Sequence, residues 1–424
     1  MLGPTKRISD LFHRLSGNCD SRYHRGRNLQ TNEGLDYPLP VAGRCFVAGL
    51  PYAGNLLTCH WQGESLEPAK ICGVARTRLG LRPLATGAGS WFQVLHAAWS
   101  RYRGNLGLVP ARALGVKHYT FVDYATQAYA ALVTLLILGF HNATVPNWAW
   151  LVAVHVVGLV AIHGLIQLHA RWPAAKVLDF LRHFYPVLLY IWFFCETGWI
   201  NRMFFHEFMD PLAVRWDQAL FGFQPSIVWM QKMPYLPLSE LFYAAYFSYY
   251  LMIGGVGLAL FLRSRHQFFH FISVVSFVFY VCYVIYIIIP IIGPRVFYER
   301  IGGYILPEQL RLLAPTNGYP PSVQNGWFFQ LMSFVYRVFE STGAAIPSSH
   351  VAVAFCTVFF SFLYLRPIRY WHLAVAILLC LSTIYCRYHY VIDVLAGLIT
   401  AAVLVPLGHC LYLRLGNRDQ TSLS

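Results

Sequence analysis

Runs of about 20 apolar residues recur through most of this chain, and they constrain its fold more than any other feature. They lie at about 121–140, 148–168, 184–201, 238–262, 269–290, 349–365, 371–387 and 390–413. A helix of roughly 20 residues crosses the hydrocarbon core of a membrane and satisfies its own backbone hydrogen bonds there. The pattern therefore predicts an all-α polytopic membrane protein with about eight spans.

The composition supports the same class of fold. Of the 424 residues, 57% are hydrophobic and 12% are charged, whereas a soluble domain carries about 25% charged residues. The ten cysteines form no CxxC pair, and six of them lie in or next to apolar segments, where cysteine is usually a small hydrophobic residue. We therefore expect a membrane protein with no disulfide framework, no zinc site and no nucleic-acid partner.

The first 117 residues differ from the rest of the chain. They hold 15 lysines and arginines against six acidic residues, and they lack sustained hydrophobic periodicity. This composition is typical of a disordered segment. We interpret residues 1–117 as a basic, disordered cytoplasmic region, with a start codon assigned too far upstream as the alternative. Residues 118–178 are expected to form two accessory transmembrane helices, residues 179–415 a membrane domain, and residues 416–424 a short cytoplasmic tail.

Basic residues in the loops predict the orientation in the membrane. With eight spans, the segments HARWPAAK, RSRHQ and RPIRYW fall on the same side as both termini, and the opposite loop HNATVPN carries no charge. Lysine and arginine concentrate in short cytoplasmic loops. Both termini are therefore expected to be cytoplasmic. The two long connections, after the third and the fifth span, are expected to face the periplasm, lumen or exterior.

Polar and aromatic residues near these connections have ordinary structural explanations. The first connection mixes charges with aromatic residues, which predicts interfacial helices, and the second contains the amphipathic run GWFFQLMSFVYRVFE. Glu196, near the end of the third span, either contacts a polar head group or pairs with an arginine. Solvated or capping roles are expected for His206, Glu207, Asp210 and Asp217. An interfacial aromatic belt explains Tyr243, Tyr246, Tyr249 and Tyr250.

Two histidines and an aspartate are the candidates for chemistry. His350 begins the sixth span, in GAAIPSSHVAV, and His389 follows 39 residues later, in YCRYHYVIDVLAG. About 20 residues cross a bilayer and about 20 return, so both histidines are expected at the same outward face. Asp393, four residues after His389, shares its helix face. Its carboxylate can accept a hydrogen bond from one imidazole nitrogen and leave the other free as a nucleophile. Each feature alone has a structural explanation, but their convergence at one membrane depth favours a catalytic site.

The segments IPSSHVAV and STIYCRYHYVIDVLAG resemble those of the type 2 phosphatidic acid phosphatase superfamily. The resemblance covers roughly residues 180–413 and is most specific in residues 343–413. It implies a six-helix phosphatase-type core, preceded here by about two extra spans. On this basis, residues 179–415 would be a lipid phosphatase- or phosphotransferase-like domain.

The resemblance also implies roles for individual residues. His389 would attack phosphorus, Asp393 would orient it, and His350 would protonate the leaving oxygen. Ser348 and Ser349, with the backbone N–H groups at the helix start, would hold phosphate oxygens, and a helix N-terminus suits an anion on electrostatic grounds.

Departures from the family pattern favour one branch of it. Phosphatases of the family usually carry Ser-Arg seven and six residues before the nucleophile, where this chain has Ser382 and Thr383, and their Lys-x6-Arg-Pro segment is absent. Arg387 lies two residues before His389, and Arg295 lies in IIPIIGPRVFYER. Either guanidinium would suit phosphate binding. These features look more like the inositol phosphorylceramide synthase branch.

The sequence thus predicts a membrane lipid phosphotransferase that works through a phosphohistidine. A phospholipid donor and a lipid alcohol acceptor are the expected partners. The alternatives are a lipid phosphate phosphatase, in which water is the acceptor, and a non-catalytic lipid-binding or transport protein. No metal or other cofactor is expected, because Arg295, Arg387 and the helix N-terminus would supply the positive field.

Overall fold

The computed structural model of the protein describes residues 118–301, 319–339 and 341–415. The predicted N-terminal region 1–117 and tail 416–424 lie outside the described residues. In the described part, one isolated β-bridge joins Ile291 to Ala344, and the regular elements are helices. They are α1 (Phe121–Phe140), α2 (Trp148–Arg171), α3 (Lys176–Ile200), α4 (Asp210–Phe221), α5 (Pro225–Lys232), α6 (Leu236–Arg263), α7 (Arg265–Ile288), α8 (Pro294–Ile301), α9 (Pro321–Gln324), α10 (Trp327–Phe339), α11 (Ser349–Tyr364), α12 (Arg369–Tyr385) and α13 (Val391–Leu415).

All eight apolar segments form helices, as predicted. Within the described ranges, α1, α2, α3, α6, α7 and α13 are long and apolar enough to cross a membrane. The helices α11 and α12 are also apolar but have only 16 and 17 residues. They are therefore about 24 and 25 Å long at 1.5 Å per residue, which is less than the ~30 Å hydrocarbon core. Non-helical backbone at residues 341–348 and 386–390 adjoins these two short helices.

The helix α7 lies at the centre of the bundle. It packs against five other helices, α1, α3, α6, α11 and α13. Its buried residues are mostly aromatic and β-branched, and Tyr280 stacks on Tyr129 of α1 at 4.9 Å between ring centroids. At the far end of α7, the Tyr286 hydroxyl donates to the Pro347 carbonyl at 2.8 Å. The central helix therefore fixes the backbone that leads into α11.

The long connections also contain the helices that the sequence predicts. The first carries α4 and α5, and the second carries α10 over the amphipathic run. The short helices α8 and α9 also lie in the second connection. The placement of these helices at a membrane surface remains an expectation.

Three basic connections meet at one end of the bundle. The Arg263 guanidinium at the end of α6 donates to the Tyr364 carbonyl at the end of α11, at 2.7 Å. Asp179 near the start of α3 lies 3.5 Å from Arg265 and 3.6 Å from His169 at the end of α2. The connections α2–α3, α6–α7 and α11–α12 are therefore neighbours. Because α11 ends at these connections, its first residue, Ser349, lies about one helix length away from them.

Candidate active site

Hydrogen bonds from two neighbouring helices fix the start of α11. Ser348 is the N-cap: its hydroxyl accepts from the Val351 N–H at 3.4 Å, and its own N–H donates to the Asp393 carbonyl at 3.0 Å. The Ser349 N–H donates to the Tyr286 hydroxyl at 3.0 Å. Both serines are buried. The structure thus gives Ser348 a capping role and Ser349 a backbone bond to α7, and their contacts with phosphate remain a prediction.

Two glycines allow the backbone segments around the site to approach closely. A Cβ at position 397 of α13 would lie 2.6 Å from the Ser348 carbonyl oxygen. Gly293 has a φ of +96°, and a Cβ there would lie 2.7 Å from the Tyr388 carbonyl oxygen. Only glycine tolerates both the positive φ and the contact. The backbone therefore packs against backbone at two places: the turn at residues 293–295 against the segment around His389, and the start of α11 against α13.

The structure brings the two predicted catalytic histidines into contact. His389 Nε2 lies 3.3 Å from His350 Nδ1, and the ring centroids are 5.4 Å apart. His389 is 3% exposed, and His350 is partly buried at the first turn of α11. The 39-residue separation therefore returns the chain to its starting point, as the sequence predicts.

Asp393 lies behind His389, on the side away from His350. Its Oδ2 is 3.4 Å from His389 Nδ1, an ion-pair distance whose geometry falls short of a hydrogen bond. The same oxygen accepts from the Tyr390 N–H at 2.9 Å. Asp393 is fully buried. This arrangement directs one imidazole nitrogen of His389 to a carboxylate and the other to His350.

Arg387 is a buried cation on the loop that precedes His389. It is 8% exposed and has a φ of +63°. Its Nε and Nη2 have no hydrogen-bond partner, and the guanidinium lies 5.3 Å from the centre of the Tyr319 ring. An unsatisfied buried cation is costly, so this side chain is suited to an anionic ligand.

Arg295, the second predicted phosphate ligand, adjoins the same loop. Its N–H donates to the Arg387 carbonyl at 2.8 Å. Its guanidinium lies 4.7 Å from the Tyr336 ring centre and 5.8 Å from that of Tyr388. The ring of Tyr388 is in turn 4.3 Å from that of Tyr246, which contacts His350. A single aromatic cluster therefore links Arg295 to the histidines.

One protein family matches the part of the chain that carries these residues. Residues 213–407 match the model of the PAP2 superfamily. The match supports placing this region in that superfamily, whose members are generally phosphatases or phosphotransferases acting on phosphoesters. No curated protein and no solved structure matches the chain.

The PAP2 match covers both histidines, Asp393 and both predicted phosphate-binding arginines, and it leaves α1, α2 and α3 outside. Together with the long apolar helices, it supports an integral membrane protein with a function of the lipid phosphatase or phosphotransferase type.

A tyrosine of the PAP2-type region that the sequence interpretation missed contacts the site directly. The Tyr246 hydroxyl is 2.8 Å from His350 Nε2 and also bonds the Tyr336 hydroxyl. The aromatic-belt explanation is wrong for Tyr243, Tyr246 and Tyr249, which are 1%, 0% and 6% exposed, whereas Tyr250 is 39% exposed. Their spacing of three residues on α6 was the available signal, because it places them on one helix face.

Two aspartates of α4 hold the backbone of the site. Asp217 accepts from the N–H groups of Val391 and Ile392, at 2.9 and 3.0 Å, and thereby caps the start of α13. Asp210 accepts from the N–H groups of Ile292 and Gly293 at 2.8 and 2.9 Å. Burial raises the pKa of both carboxyl groups to about 6, so both are carboxylates at neutral pH.

These contacts decide between the roles expected for the first connection. A solvated role is wrong for Asp210 and Asp217, which are fully buried, while the capping role is confirmed for Asp217. His206 and Glu207 are exposed.

Glu196 pairs with a histidine of α2 and not with the expected arginine: it is 1% exposed, and its Oε2 is 3.1 Å from His155 Nε2. Over the described ranges, no group of three or more His, Cys, Asp or Glu residues could hold a metal ion. The six cysteines described in residues 195–410 are free thiols.

Proposed function

We propose that this protein is a membrane lipid phosphotransferase that works through a phosphohistidine on His389. The observation that carries the proposal is the alignment of three side chains: Asp393 lies 3.4 Å from one nitrogen of His389, and His350 lies 3.3 Å from the other. A carboxylate that orients an imidazole leaves its far nitrogen as a nucleophile, and a second imidazole can act there as acid and then as base.

The reaction has two steps. In the first, His389 Nε2 attacks phosphorus, the bond from phosphorus to the leaving oxygen breaks, and His350 donates its Nδ1 proton to that oxygen. In the second, an acceptor hydroxyl gives its proton to His350 while its oxygen attacks the phosphohistidine. Arg387 and Arg295 stabilise the charge on the non-bridging phosphate oxygens.

Burial of the histidines favours transfer over hydrolysis. His389 and Asp393 are 3% and 0% exposed, and the rings of Tyr246 and Tyr249 lie 5.0 and 4.5 Å from the His350 ring. A site enclosed by aromatic rings limits the access of water to a phosphohistidine. The segments GPR (293–295), PSSH (347–350) and RYHYVID (387–393) favour an activity like that of inositol phosphorylceramide synthase, in which a lipid alcohol accepts a phospho-head group. Lipid phosphate hydrolysis is the alternative.

The arrangement in the membrane forms part of the proposal. All eight apolar helices, α11 and α12 included, are taken as spans. The three connections that meet at one end of the bundle carry the basic segments HARWPAAK, RSRHQ and RPIRYW, which favours a cytoplasmic position for that end. Both termini would then be cytoplasmic, and His350 and His389 would lie near the opposite, outward face.

The proposal is tested with purified protein and phospholipids labelled in the head-group phosphate. Label should move to ceramide or diacylglycerol when either is supplied, and a labelled, acid-labile phosphoenzyme should be trapped. His389→Ala should abolish both, with His409→Ala, near the end of α13, as the matched control. Retention of turnover in a folded His389→Ala protein would reject the phosphohistidine mechanism. Release of the label as a water-soluble phosphate, inorganic phosphate from a phosphomonoester lipid or head-group phosphate from a phosphodiester, in place of transfer would select hydrolysis.

A further inference from the structure

The general acid of the proposed reaction has its own orienting partner. His350 uses one ring nitrogen to face His389 and the other, Nε2, to face the Tyr246 hydroxyl at 2.8 Å. The Tyr246 side chain is fully buried on α6. Its hydroxyl also bonds that of Tyr336, which belongs to the amphipathic helix α10.

The neighbours of each ring nitrogen suggest where the protons lie. The His389 nitrogen that faces the Asp393 carboxylate at 3.4 Å is assigned a proton, because a carboxylate accepts only, and His389 Nε2 then carries a lone pair. The His350 nitrogen that faces this lone pair, Nδ1, must then be the donor. In a neutral ring Nε2 then accepts from the Tyr246 hydroxyl, whereas the imidazolium that acts as the general acid carries a second proton at Nε2 and donates it to the Tyr246 oxygen.

We propose that Tyr246 is a positioning residue that holds the His350 ring by its Nε2, so that Nδ1 is directed at the reacting oxygen both when it donates and when it accepts a proton. The inference rests on the proposed function, because the direction of Nδ1 matters only if His350 transfers protons. Tyr336 supports this orientation by hydrogen bonding to the Tyr246 hydroxyl.

A hydroxyl suits this position better than a carboxylate would. His350 must act as acid in one step and as base in the next, so Nε2 has to remain satisfied in two protonation states. When the ring is the imidazolium, Nε2–H donates to the Tyr246 oxygen. When Nδ1 has given its proton to the leaving oxygen, the neutral ring that remains keeps Nε2–H on the same bond. A hydroxyl serves as donor or acceptor by rotating, whereas a carboxylate would accept only and would favour the charged ring.

The test compares leaving groups in the full-length protein. Tyr246→Phe should lower turnover about 10- to 100-fold for a phosphodiester with an alkyl leaving group, within the range expected for losing part of general acid catalysis. With an activated nitrophenol leaving group, which needs no proton, the loss should be below about threefold. Tyr243→Phe is the matched control. Tyr243 lies one turn before Tyr246 on α6, and its ring packs against those of Phe329 and Tyr388.

A loss of equal size with both leaving groups would overturn the inference, because a merely structural role would affect both substrates alike. Unchanged turnover of the alkyl substrate in Tyr246→Phe would overturn it as well. The proposed function is judged separately, by the phosphoenzyme and its absence in His389→Ala. If the wild type forms a phosphoenzyme and Tyr246→Phe has normal turnover, only the role of Tyr246 is rejected.

A second measurement is independent of turnover. Nitrogen-15 NMR of histidine-labelled protein, with the His350→Ala spectrum subtracted, reports the hydrogen bonding of His350 Nε2. The wild type should show the chemical shift of a hydrogen-bonded Nε2, and Tyr246→Phe should lose it. An Nε2 signal that is the same in the wild type and in Tyr246→Phe would contradict the inference.

Discussion

Arg387 carries two structural costs at once. Its positive φ is uncommon for a residue other than glycine, and its guanidinium is buried with two nitrogens unsatisfied. A strained backbone position costs about 1–3 kcal/mol, and burying an unpaired charge costs more. Side chains held under such costs cluster at functional sites, where a ligand completes what the protein leaves unpaired.

Replacing this cation should therefore separate stability from activity. Arg387→Met keeps an unbranched stem and removes the charge. We expect the thermal midpoint to stay the same or rise by a few degrees, and turnover to fall at least about 100-fold. Vanadate, a phosphate analogue, should stabilise the wild type and not the variant. Arg337→Met, an exposed arginine of α10, is the control. A lowered midpoint with normal turnover would show that Arg387 is a structural residue.

The carboxylate behind the nucleophile should be needed for its charge. An asparagine at position 393 can keep an oxygen toward the Tyr390 N–H and toward His389, so the fold should be intact. It loses the negative charge that stabilises a developing imidazolium, so we expect turnover to fall by about 10²- to 10⁴-fold. Rates and circular dichroism of Asp393→Asn are compared with those of Asp179→Asn, at the other end of the bundle. Near-normal turnover in Asp393→Asn would remove Asp393 from the catalytic set.

At the scale of elements, the site depends on a helix outside the main bundle. The helix α4 supplies Asp217 to the first two N–H groups of α13, and Asp210 to the turn that precedes Arg295. A carboxylate at a helix N-terminus satisfies orphan N–H groups and complements the helix dipole. These two contacts therefore fix the backbone beside His389 and beside Arg295.

Removing the cap should reduce stability modestly and activity strongly. Loss of a capping side chain costs about 0.5–2 kcal/mol, so Asp217→Ala should lower the thermal midpoint. Turnover should fall by a larger factor, because Val391 and Ile392 lie only two and three residues after His389. Asp217→Asn, which retains one acceptor oxygen, should be intermediate. Thermal unfolding and turnover are measured beside Glu207→Gln, an exposed residue of the same connection. Wild-type values in Asp217→Ala would contradict this capping role of Asp217.

The sequence predicts local features of the site well and its long-range partners poorly. The helix at each apolar segment and the meeting of His350 with His389 follow from length and spacing, because a crossing and a return have fixed lengths. The partners of Tyr246 and Asp217 are 104 and 174 residues away in sequence. No periodicity encodes such pairings, since they arise only when α6 and α4 pack beside the site. Burial of the tyrosines likewise depends on which face α6 turns toward α10.

At the scale of the whole molecule, the two ends of the bundle differ in chemistry. The connections α2–α3, α6–α7 and α11–α12 lie together at one end. There Arg263 donates to the Tyr364 carbonyl, and Arg265 lies 3.5 Å from Asp179. The histidine pair lies at the other end of α11, where that helix begins. Positively charged connections favour a cytoplasmic position for the end that carries them. Since the histidines lie at the other end, the geometry and the charge pattern together favour an outward active site. Under the proposed function, such a site would take phospholipids from the outer leaflet.

Cysteine labelling in intact cells tests this orientation. In a background without reactive native thiols, Asn325→Cys, an exposed position between α9 and α10, should react with an impermeant maleimide. His266→Cys, an exposed position at the start of α7, should react only after permeabilisation. Both variants should first be shown to retain turnover, so that the labelled molecules are folded. The reverse pattern would place the histidines at the cytoplasmic face, and the donor would then come from the inner leaflet.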